Sequence, residues 1–334
     1  MAATSRQKHI RFIGETMDVT VIGGKAAGLA MMQSAGMPVS PGFSVTSEAY
    51  QAHLTQSELH RQIATRLDTL DGGDAPGMAS AAEGIQSLVT GSPIPAGVET
   101  EIRDAYRQLA AMARLNTAKA DGESDGRVTV AVRSSATAED LPGASFAGQH
   151  DTYLNIPSED DTVRAVLDCW ASLWSSHAMA YREMQKIPQL DVSMSVVVQK
   201  LVYATAAGVV FTANPVTGDT SEVVINAAWG LGEAVVSGMV TPDYIVVSKQ
   251  GLTVKSAQIA EKDVMVVREG DLGTKQTPVP AEKRSAPVLS DGQIRQLSEM
   301  AIALEASCGQ PQDIEFAIEA DQISLLQCRP ITTL

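Results

Sequence analysis

Three residues near the end of the chain have the side chains and the spacing to bind a metal ion together with phosphate. Glu315 lies in one apolar run, and Gln327 and Arg329 lie two residues apart in the next. A tight hairpin centred on Asp321 would place Glu315 opposite Gln327, with Arg329 on the same face. Carboxylate and amide oxygens suit Mg²⁺, and a guanidinium suits the phosphates that Mg²⁺ bridges. A Glu–Arg pair on the surface of an ordinary hairpin explains the same spacing equally well.

Arg133 is a second candidate, because it ends the apolar, alternating run of residues 128–133. Its planar guanidinium can bind two phosphate oxygens at once. The segment from Ser134 to Thr152 is rich in small and hydroxyl residues, which let a backbone approach a ligand closely. The alternative interpretation is a surface arginine followed by an ordinary flexible loop.

Gly23-Gly24-Lys25 precedes a helical pattern and is the third candidate. Glycines ahead of a helix leave backbone N–H groups free to face a phosphate, and Lys25 adds a positive charge. The segment is not a Walker A loop, because Val19 stands where that loop needs glycine and Ala26 where it needs Ser or Thr. A plain turn before a helix explains the same residues.

Three further segments have less specific chemistry. Gln199 lies inside an apolar strand pattern, where a buried amide needs a partner, and adenine is one candidate. The Gly-containing segments 211–218 and 228–233 either line a cleft or simply connect strands.

Helices must position several of these residues. Apolar residues at helical spacing predict helices over residues 25–36 and 160–186. Ser290 followed by Gln293 is a capping-box pattern for a helix that runs to about residue 307. Polar or proline-rich composition predicts loops at residues 117–125 and 268–290.

Strands must position the others. Alternating or β-branched runs predict strands at residues 128–133, 195–202, 207–212, 222–226, 244–247, 313–318 and 323–329. Helices and strands are interspersed, which favours an α+β fold with a mixed sheet over a purely parallel one. We expect two sub-domains, at residues 1–190 and 191–334.

Composition limits the class of protein. The 334 residues carry a net charge of −14, and 44% of them are hydrophobic although only 4% are aromatic. Such an acidic chain argues against nucleic acid or an anionic membrane as its main partner, because both need clustered Lys and Arg. The sequence shows no signal-peptide pattern, no apolar run of about 18 residues and no metal-binding spacing of its three cysteines. We therefore expect a cytoplasmic protein with reduced thiols.

Five segments in matching order resemble the nucleotide-binding domain of phosphoenolpyruvate synthase, pyruvate phosphate dikinase and rifampicin phosphotransferase. They are Gly23-Gly24-Lys25 with Ser40-Pro41-Gly42-Phe43 and Thr46, Val132-Arg133-Ser134-Ser135, residues 211–218, Gly230-Leu231-Gly232-Glu233, and Gln327-Cys328-Arg329-Pro330-Ile331-Thr332. The resemblance covers about residues 12–332. One departure is Phe316, where several relatives are expected to have tryptophan.

The resemblance implies an ATP-grasp-type fold with ATP in a cleft between two sub-domains. It implies that the catalytic residues that contact phosphates are Lys25, Arg133 and Arg329. It implies that the ligands of Mg²⁺ are Glu315 and Gln327. The remaining nucleotide-binding residues would be Gly148 and Thr152 along a loop and Gln199 on the adenine side.

The resemblance also implies a two-stage reaction. A histidine on a mobile domain attacks ATP, with AMP as the nucleotide product, and then carries phosphate to a second active site. The Thr-Gly-Gly…Ser-His segment expected of that domain is missing from the sequence, and His150 belongs to the nucleotide loop. We therefore expect an ATP-dependent phosphotransferase whose phosphohistidine partner is another polypeptide or a part lost by truncation.

Two alternatives remain open at this point. One is the ATP-binding domain of a rifampicin-phosphotransferase-like or phenylphosphate-synthase-like enzyme. The other is a nucleotide-binding module without transfer activity.

Overall fold

The chain divides into two compact units. The computed structural model describes residues 8–68, 70, 75–117, 128–136 and 152–331. Unit 1 comprises residues 1–27 and 41–201, and unit 2 comprises residues 28–40 and 202–334. The division between the units therefore falls after Leu201, where the sequence led us to expect it after residue 190, and residues 28–40 belong to unit 2.

Unit 1 contains a five-stranded sheet in the order β1-β2-β5-β3-β4, in which every described pair is antiparallel. Its strands are β1 (Ile10–Phe12), β2 (Gly42–Val45), β3 (Val130–Ala136), β4 (Thr152–Ile156) and β5 (Met194–Lys200). Its helices are α1 (Val19–Ser34), which continues into unit 2, α2 (Ser47–Gln56), α3 (Leu59–Leu67), α4 (Ala75–Gly91), α5 (Ala96–Thr117), α6 (Glu159–Ser172) and α7 (Ser176–Met184).

The two faces of this sheet differ because successive side chains on a strand point to opposite sides. Val130 and Val132 on β3, with Val196 and Val198 on β5, belong to the apolar core that α2 to α7 complete. The intervening positions, which include Arg133, lie on the opposite face. The strand pattern therefore fixes which face carries the polar side chains.

The predicted single helix over residues 160–186 is wrong, because two helices occupy this range. α6 ends at Ser172, and Ser175 caps the start of α7 by accepting a hydrogen bond from Ala178 N at 3.1 Å. Serine competes for backbone groups in this way and favours helix starts over helix interiors. Trp170 and Trp174 are buried in the core of unit 1, whereas His177 on α7 is exposed.

Unit 2 contains a six-stranded sheet in the order β13-β12-β6-β7-β8-β9 and a separate hairpin, β10-β11, and all of these described pairs are antiparallel. The strands of the sheet are β6 (Ala206–Phe211), β7 (Glu222–Trp229), β8 (Asp243–Ser248), β9 (Val254–Gln258), β12 (Gln312–Glu319) and β13 (Gln322–Pro330). The hairpin strands are β10 (Val264–Arg268) and β11 (Thr274–Pro278). The helices are α8 (Glu233–Val236), α9 (Ala281–Arg284) and α10 (Asp291–Cys308).

The predicted capping box at the start of α10 is confirmed. Ser290 Oγ accepts a hydrogen bond from Gln293 N, and Gln293 Oε1 accepts one from Ser290 N at 2.9 Å. Gly309, with φ 70°, ends the helix. α10 packs against β6, β7 and β12 through buried residues such as Leu297 and Leu304.

The predicted loop over residues 268–290 is wrong, since it contains β11 and α9. β11 is a largely exposed hairpin strand, so burial imposes no apolar alternation on its sequence. The expected loop at residues 117–125 begins at the last residue of α5, and its remainder lies outside the described residues.

The α+β class is confirmed by this content of helices and sheets. The sheets are antiparallel at every described pair of strands, which differs from the mixed sheet that we expected. No helix among the described residues is both long enough and apolar enough to cross a lipid bilayer.

Candidate functional site

Lys25 is held at a kink within α1. Gly23 has φ 72° and ψ 169°, a conformation essentially restricted to glycine, and it separates two helical pieces. Lys25 N donates a hydrogen bond to Ser135 Oγ at 3.1 Å, and Lys25 Nζ donates one to the carbonyl oxygen of Ser134 at 2.8 Å. The ammonium therefore lies beside the backbone that immediately follows Arg133.

Two buried serines fix this kink. Ser135 Oγ donates to the carbonyl oxygen of Ile22 at 3.3 Å, and Ser195 Oγ lies 2.5 Å from the same oxygen. A Cβ atom at Gly23 would collide with the carbonyl oxygen of Ser135. Ser135 belongs to the segment that we expected to approach a ligand, and its hydroxyl is engaged with the α1 backbone. Sequence alone gave no signal for this role, because the partners are distant along the chain.

Arg133, Thr152 and Gln199 share one face of the unit 1 sheet. Arg133 lies opposite Thr152 on β4 and opposite Val197 on β5. Gln199 is two residues further along β5 and is 1% exposed. Cross-strand partners point to the same side of a sheet, so these three side chains lie on the face opposite the apolar core. Gly148 lies outside the described residues.

The predicted pairing of Glu315 with Gln327 is confirmed, although its cause differs from the one we expected. The turn comprises Ala320 and Asp321, both with positive φ, instead of centring on Asp321 alone. β13 contains one extra residue, Leu326, between the partners of Phe316 and Glu315. This bulge shifts the register by one residue and returns Gln327 to its place opposite Glu315.

Asp313 and Arg329 form an ion pair beside Glu315 and Gln327. Arg329 lies opposite Asp313. Its Nε donates a hydrogen bond to Asp313 Oδ2 at 2.9 Å, and its Nη2 lies 2.8 Å from the same oxygen. Burial raises the pKa of Asp313 above the usual value for an aspartate, although the neighbouring guanidinium opposes this shift. The sequence reading missed Asp313 as an orienting group. Its signal was available, since any antiparallel register that pairs residue 315 with residue 327 also pairs 313 with 329.

The face of the unit 2 sheet that carries these residues offers oxygen ligands. Glu315 lies opposite Val209, which in turn lies opposite Asn226 on β7, so their side chains share a face. The buried Oδ1 of Asn226 has no hydrogen-bond partner among the described residues. Glu315 offers a carboxylate, and Gln327 and Asn226 each offer an amide oxygen. These oxygen ligands suit a hard cation such as Mg²⁺. The residues present therefore fit that ion.

The segments 211–218 and 228–233 make structural turns. Asn214 Oδ1 accepts hydrogen bonds from Val216 N and Thr217 N at 3.0 and 3.2 Å, which closes the turn after β6. Leu231 N donates to the carbonyl oxygen of Val266 at 2.9 Å, which ties the turn after β7 to β10. These contacts favour strand connection, one of the two interpretations that the sequence left open.

The predicted site residues thus form two sets, one in each unit. In unit 1 the described members are Lys25, Arg133, Thr152 and Gln199. In unit 2 they are Glu315, Gln327 and Arg329.

Comparisons with known proteins agree with the resemblance seen in the sequence. Residues 19–334 match the family model described as pyruvate phosphate dikinase, AMP/ATP-binding domain. A probable phosphoenolpyruvate synthase of Methanocaldococcus jannaschii is 43% identical over 98% of this chain and 27% of its own length. One from Methanothermobacter thermautotrophicus is 42% identical over 98% of this chain and 46% of its own length. The phosphoenolpyruvate synthase of Pyrococcus furiosus is 39% identical over 95% of this chain and 42% of its own length.

This chain spans less than half the length of each of these three relatives. The family model, in contrast, covers nearly the whole chain. The chain therefore belongs to the pyruvate phosphate dikinase AMP/ATP-binding domain family.

Proposed function

We propose that this chain is the ATP-binding component of a phosphoenolpyruvate-synthase-like phosphotransferase. A histidine nitrogen of another domain or polypeptide attacks the β-phosphorus of ATP, the bond between that phosphorus and the oxygen that bridges it to the α-phosphate breaks, and AMP leaves. The β- and γ-phosphates pass together to the histidine nitrogen. Family membership supports ATP as the nucleotide. The greater length of the relatives supports a further domain that supplies the histidine.

Each predicted site residue that the structure describes has a proposed role in binding ATP or in the transfer reaction. Lys25, Arg133 and Arg329 bind phosphate oxygens and neutralise the negative charge that develops on the transferring group. Gln199 binds the adenine, and Thr152 lines the nucleotide loop.

Glu315 and Gln327 would hold the metal ion in the proposed site. When bound, Mg²⁺ would supply positive charge that stabilises the phosphate oxygens. Asp313 orients the Arg329 guanidinium through a hydrogen bond and an ion-pair contact to its Oδ2. We further propose that both sets of residues contact one ATP, in the ATP-grasp manner that the sequence resemblance implies.

One observation carries most of this proposal. Glu315, Gln327 and Arg329 share one face of the β12–β13 hairpin, so a carboxylate, an amide and a guanidinium lie side by side. Arg329 also forms an ion pair with Asp313, which holds its guanidinium on the face that carries Glu315 and Gln327.

Arg329→Ala tests the transfer reaction. ATP and Mg²⁺ are incubated with the chain and a recombinant protein that contains a candidate histidine domain, and AMP is followed by chromatography. Loss of one preorganised charge of this kind raises the barrier by about 2.7–4 kcal/mol, so we expect a rate roughly 10²- to 10³-fold lower. The matched control is Arg295→Ala, which removes an exposed arginine on α10.

Three outcomes are distinguishable. AMP formation by Arg329→Ala at the wild-type rate would contradict the assigned role of Arg329. Calorimetric ATP binding without AMP, with a histidine protein that accepts phosphate from a known family member, would indicate a binding module without transfer activity. Absence of ATP binding by the wild-type chain would contradict the proposal as a whole.

A further inference from the structure

Three sulfur atoms lie together in unit 2, outside the residues assigned to ATP. Met31 is in the second piece of α1, Cys308 is the last residue of α10, and Cys328 is in β13. Cys308 Sγ lies 3.6 Å from Met31 Sδ, and the Cys308 and Cys328 side chains are hydrogen-bonded to each other. Residues far apart along the chain therefore bring two thiols and a thioether into one cluster.

The backbone holds this cluster in place. Gly28, one turn before Met31, lies so close to β13 that a Cβ there would be 2.6 Å from the carbonyl oxygen of Cys328. Cys328 is buried and its Sγ also donates to Gln312 Oε1 at 3.2 Å, whereas Met31 and Cys308 are half-buried. The sulfur atoms are thus positioned by three separate elements and are reachable from the side of Met31 and Cys308.

Packing alone explains these contacts incompletely. A buried cysteine often serves as a small apolar side chain, and Cys169 in unit 1 is an example, with its Sγ 4.0 Å from the carbonyl oxygen of Val132. S–H groups are weak donors and thioethers weak acceptors, so the sulfur–sulfur contacts stabilise the fold little. Burial also raises the pKa of Cys308 and raises that of Cys328 to about 12. The pair therefore lacks the thiolate character of cysteines poised for oxidation.

We propose that Met31, Cys308 and Cys328 bind one soft d¹⁰ metal ion of the Cu(I) class. Thiolate and thioether ligands select such ions over hard cations. Three sulfur atoms around one ion, with bonds near the ~2.3 Å of metal thiolates, lie about 4 Å apart, which is close to the 3.6 Å between Cys308 and Met31. Each thiol that bonds to the metal releases its proton to solvent, as a coordinating thiol does.

This site is distinct from the proposed magnesium site. The ligands of Mg²⁺ are oxygens of Glu315 and Gln327, whereas the new site uses sulfur alone. Among the described residues, no group of three His, Cys, Asp or Glu is arranged to hold a metal ion. A test that uses Cu(I) without nucleotide therefore reports on the sulfur cluster independently of the proposed function.

The experiment is an anaerobic titration of the whole chain with Cu(I) held by a chromogenic Cu(I) chelator. Free thiols are counted first, so that every sample is known to be reduced. We expect the wild-type chain to remove one equivalent of Cu(I) from the chelator and to gain a sulfur-to-metal absorption band in the near ultraviolet. Cys308→Ser and Cys328→Ser should lose this binding.

Two further variants make the test specific. Met31→Leu keeps the volume but removes the thioether, and we expect an affinity lower by about tenfold or more, at least the contribution of outer partners of metal ligands. Cys169→Ser, which changes the thiol outside the cluster, should bind as the wild type does. Circular dichroism confirms that each variant is folded.

The proposal is overturned if Cys308→Ser retains the bound equivalent, or if Met31→Leu binds as tightly as the wild type. Absence of binding by the reduced wild-type chain would overturn it as well. If Cys328→Ser does not fold, the two half-buried positions, Met31 and Cys308, still decide the outcome.

Discussion

Arg329 shows how a single residue is prepared for its proposed task by its neighbours. Its hydrogen bond and ion-pair contact to Asp313 Oδ2 fix the guanidinium on the face that carries Glu315 and Gln327, while its side chain stays 41% exposed. An arginine fixed in this way loses less freedom when it binds phosphate than one that moves in solvent. Asp313 is therefore expected to act through Arg329 and not by touching ATP.

Asp313→Asn tests this indirect role. The amide keeps the size of the side chain but loses the charge that holds Arg329. We therefore expect ATP to bind more weakly than to the wild type, with a smaller loss of affinity than Arg329→Ala causes. Calorimetry gives the dissociation constants. Asp263→Asn is the matched control, because Asp263 is exposed and 3.7 Å from its arginine partner, Arg284. Equal affinities of the two Asn variants would contradict the role of Asp313.

The contacts of single residues could be predicted from the sequence where they followed from strand periodicity and from pairing within one hairpin. The Glu315–Gln327 pairing was predictable from alternation, even though the true turn and the Leu326 bulge were not. The Ser135 and Ser195 contacts to the α1 backbone were not predictable, since they join segments separated by most of unit 1. Roles that depend on such long-range contacts leave no pattern in the local sequence.

The kink in helix α1 sets the position of Lys25. Gly23 allows the backbone to turn there, and the second helical piece then starts with Lys25 beside Ser134 and Ser135. Any side chain at residue 23 would strain the backbone and collide with Ser135. The kink is therefore a requirement of the proposed phosphate contact.

Gly23→Ala is expected to lower both stability and ATP affinity. The backbone conformation alone costs about 1–3 kcal/mol for a residue other than glycine, and the collision adds to this cost. Gly36→Ala is the matched control, because Gly36 has φ 75° but open space around its Cβ position. Urea unfolding should show a larger loss for Gly23→Ala, and only that variant should bind ATP more weakly. Equal losses of stability in the two variants would contradict the predicted collision of a Cβ atom at residue 23 with Ser135.

A buried ion pair ties β8 to the segment before β10. Lys262 Nζ lies 2.5 Å from Asp243 Oδ1, and the two side chains are 0% and 1% exposed. Ala260 N and Val288 N also donate to this carboxylate. The Asp243 carboxylate therefore joins β8, the segment at residues 260–262 and the backbone at Val288.

Lys262→Met should destabilise unit 2 strongly. Removing one partner of a buried pair typically costs about 3–5 kcal/mol, because the other charge remains buried. Arg61→Met, which breaks the exposed Arg61–Glu58 pair, should cost less than about 1 kcal/mol. Urea unfolding measures the loss in free energy of unfolding for each variant. Similar losses would contradict the claim that burial makes the Lys262–Asp243 pair more important for stability than the exposed pair.

Elements with strong local signals were predictable, and the others were not. The capping box of α10 and the buried strands β5, β6 and β7 were predicted close to their observed bounds. The exposed strands β9 and β11 were missed, because exposed strands need no apolar alternation. The break between α6 and α7 was missed because the apolar spacing continues across it.

For the whole molecule, the central prediction is that one ATP requires both units. A ligand at 100 times its dissociation constant stabilises the folded protein by about 2.7 kcal/mol, so ATP with Mg²⁺ should raise the unfolding temperature. Lys25→Ala in unit 1 and Arg329→Ala in unit 2 should each reduce this rise. The controls are Lys8→Ala and Arg295→Ala, which change exposed residues. A reduction by only one of the two site variants would show that ATP binds to one unit alone.

The division of α1 between the units has a consequence for the order in which the chain folds during synthesis. Residues 28–40 emerge from the ribosome early, but Leu325 N donates to the carbonyl oxygen of Pro38, and Val39 forms a β-bridge with Leu325. All the residues of unit 1 are synthesised once Leu201 is complete, whereas residues 28–40 must wait for β13. Since domains usually fold in the order of their synthesis, nascent chains that stop before β13 should contain a folded unit 1 and an unprotected segment at residues 28–40.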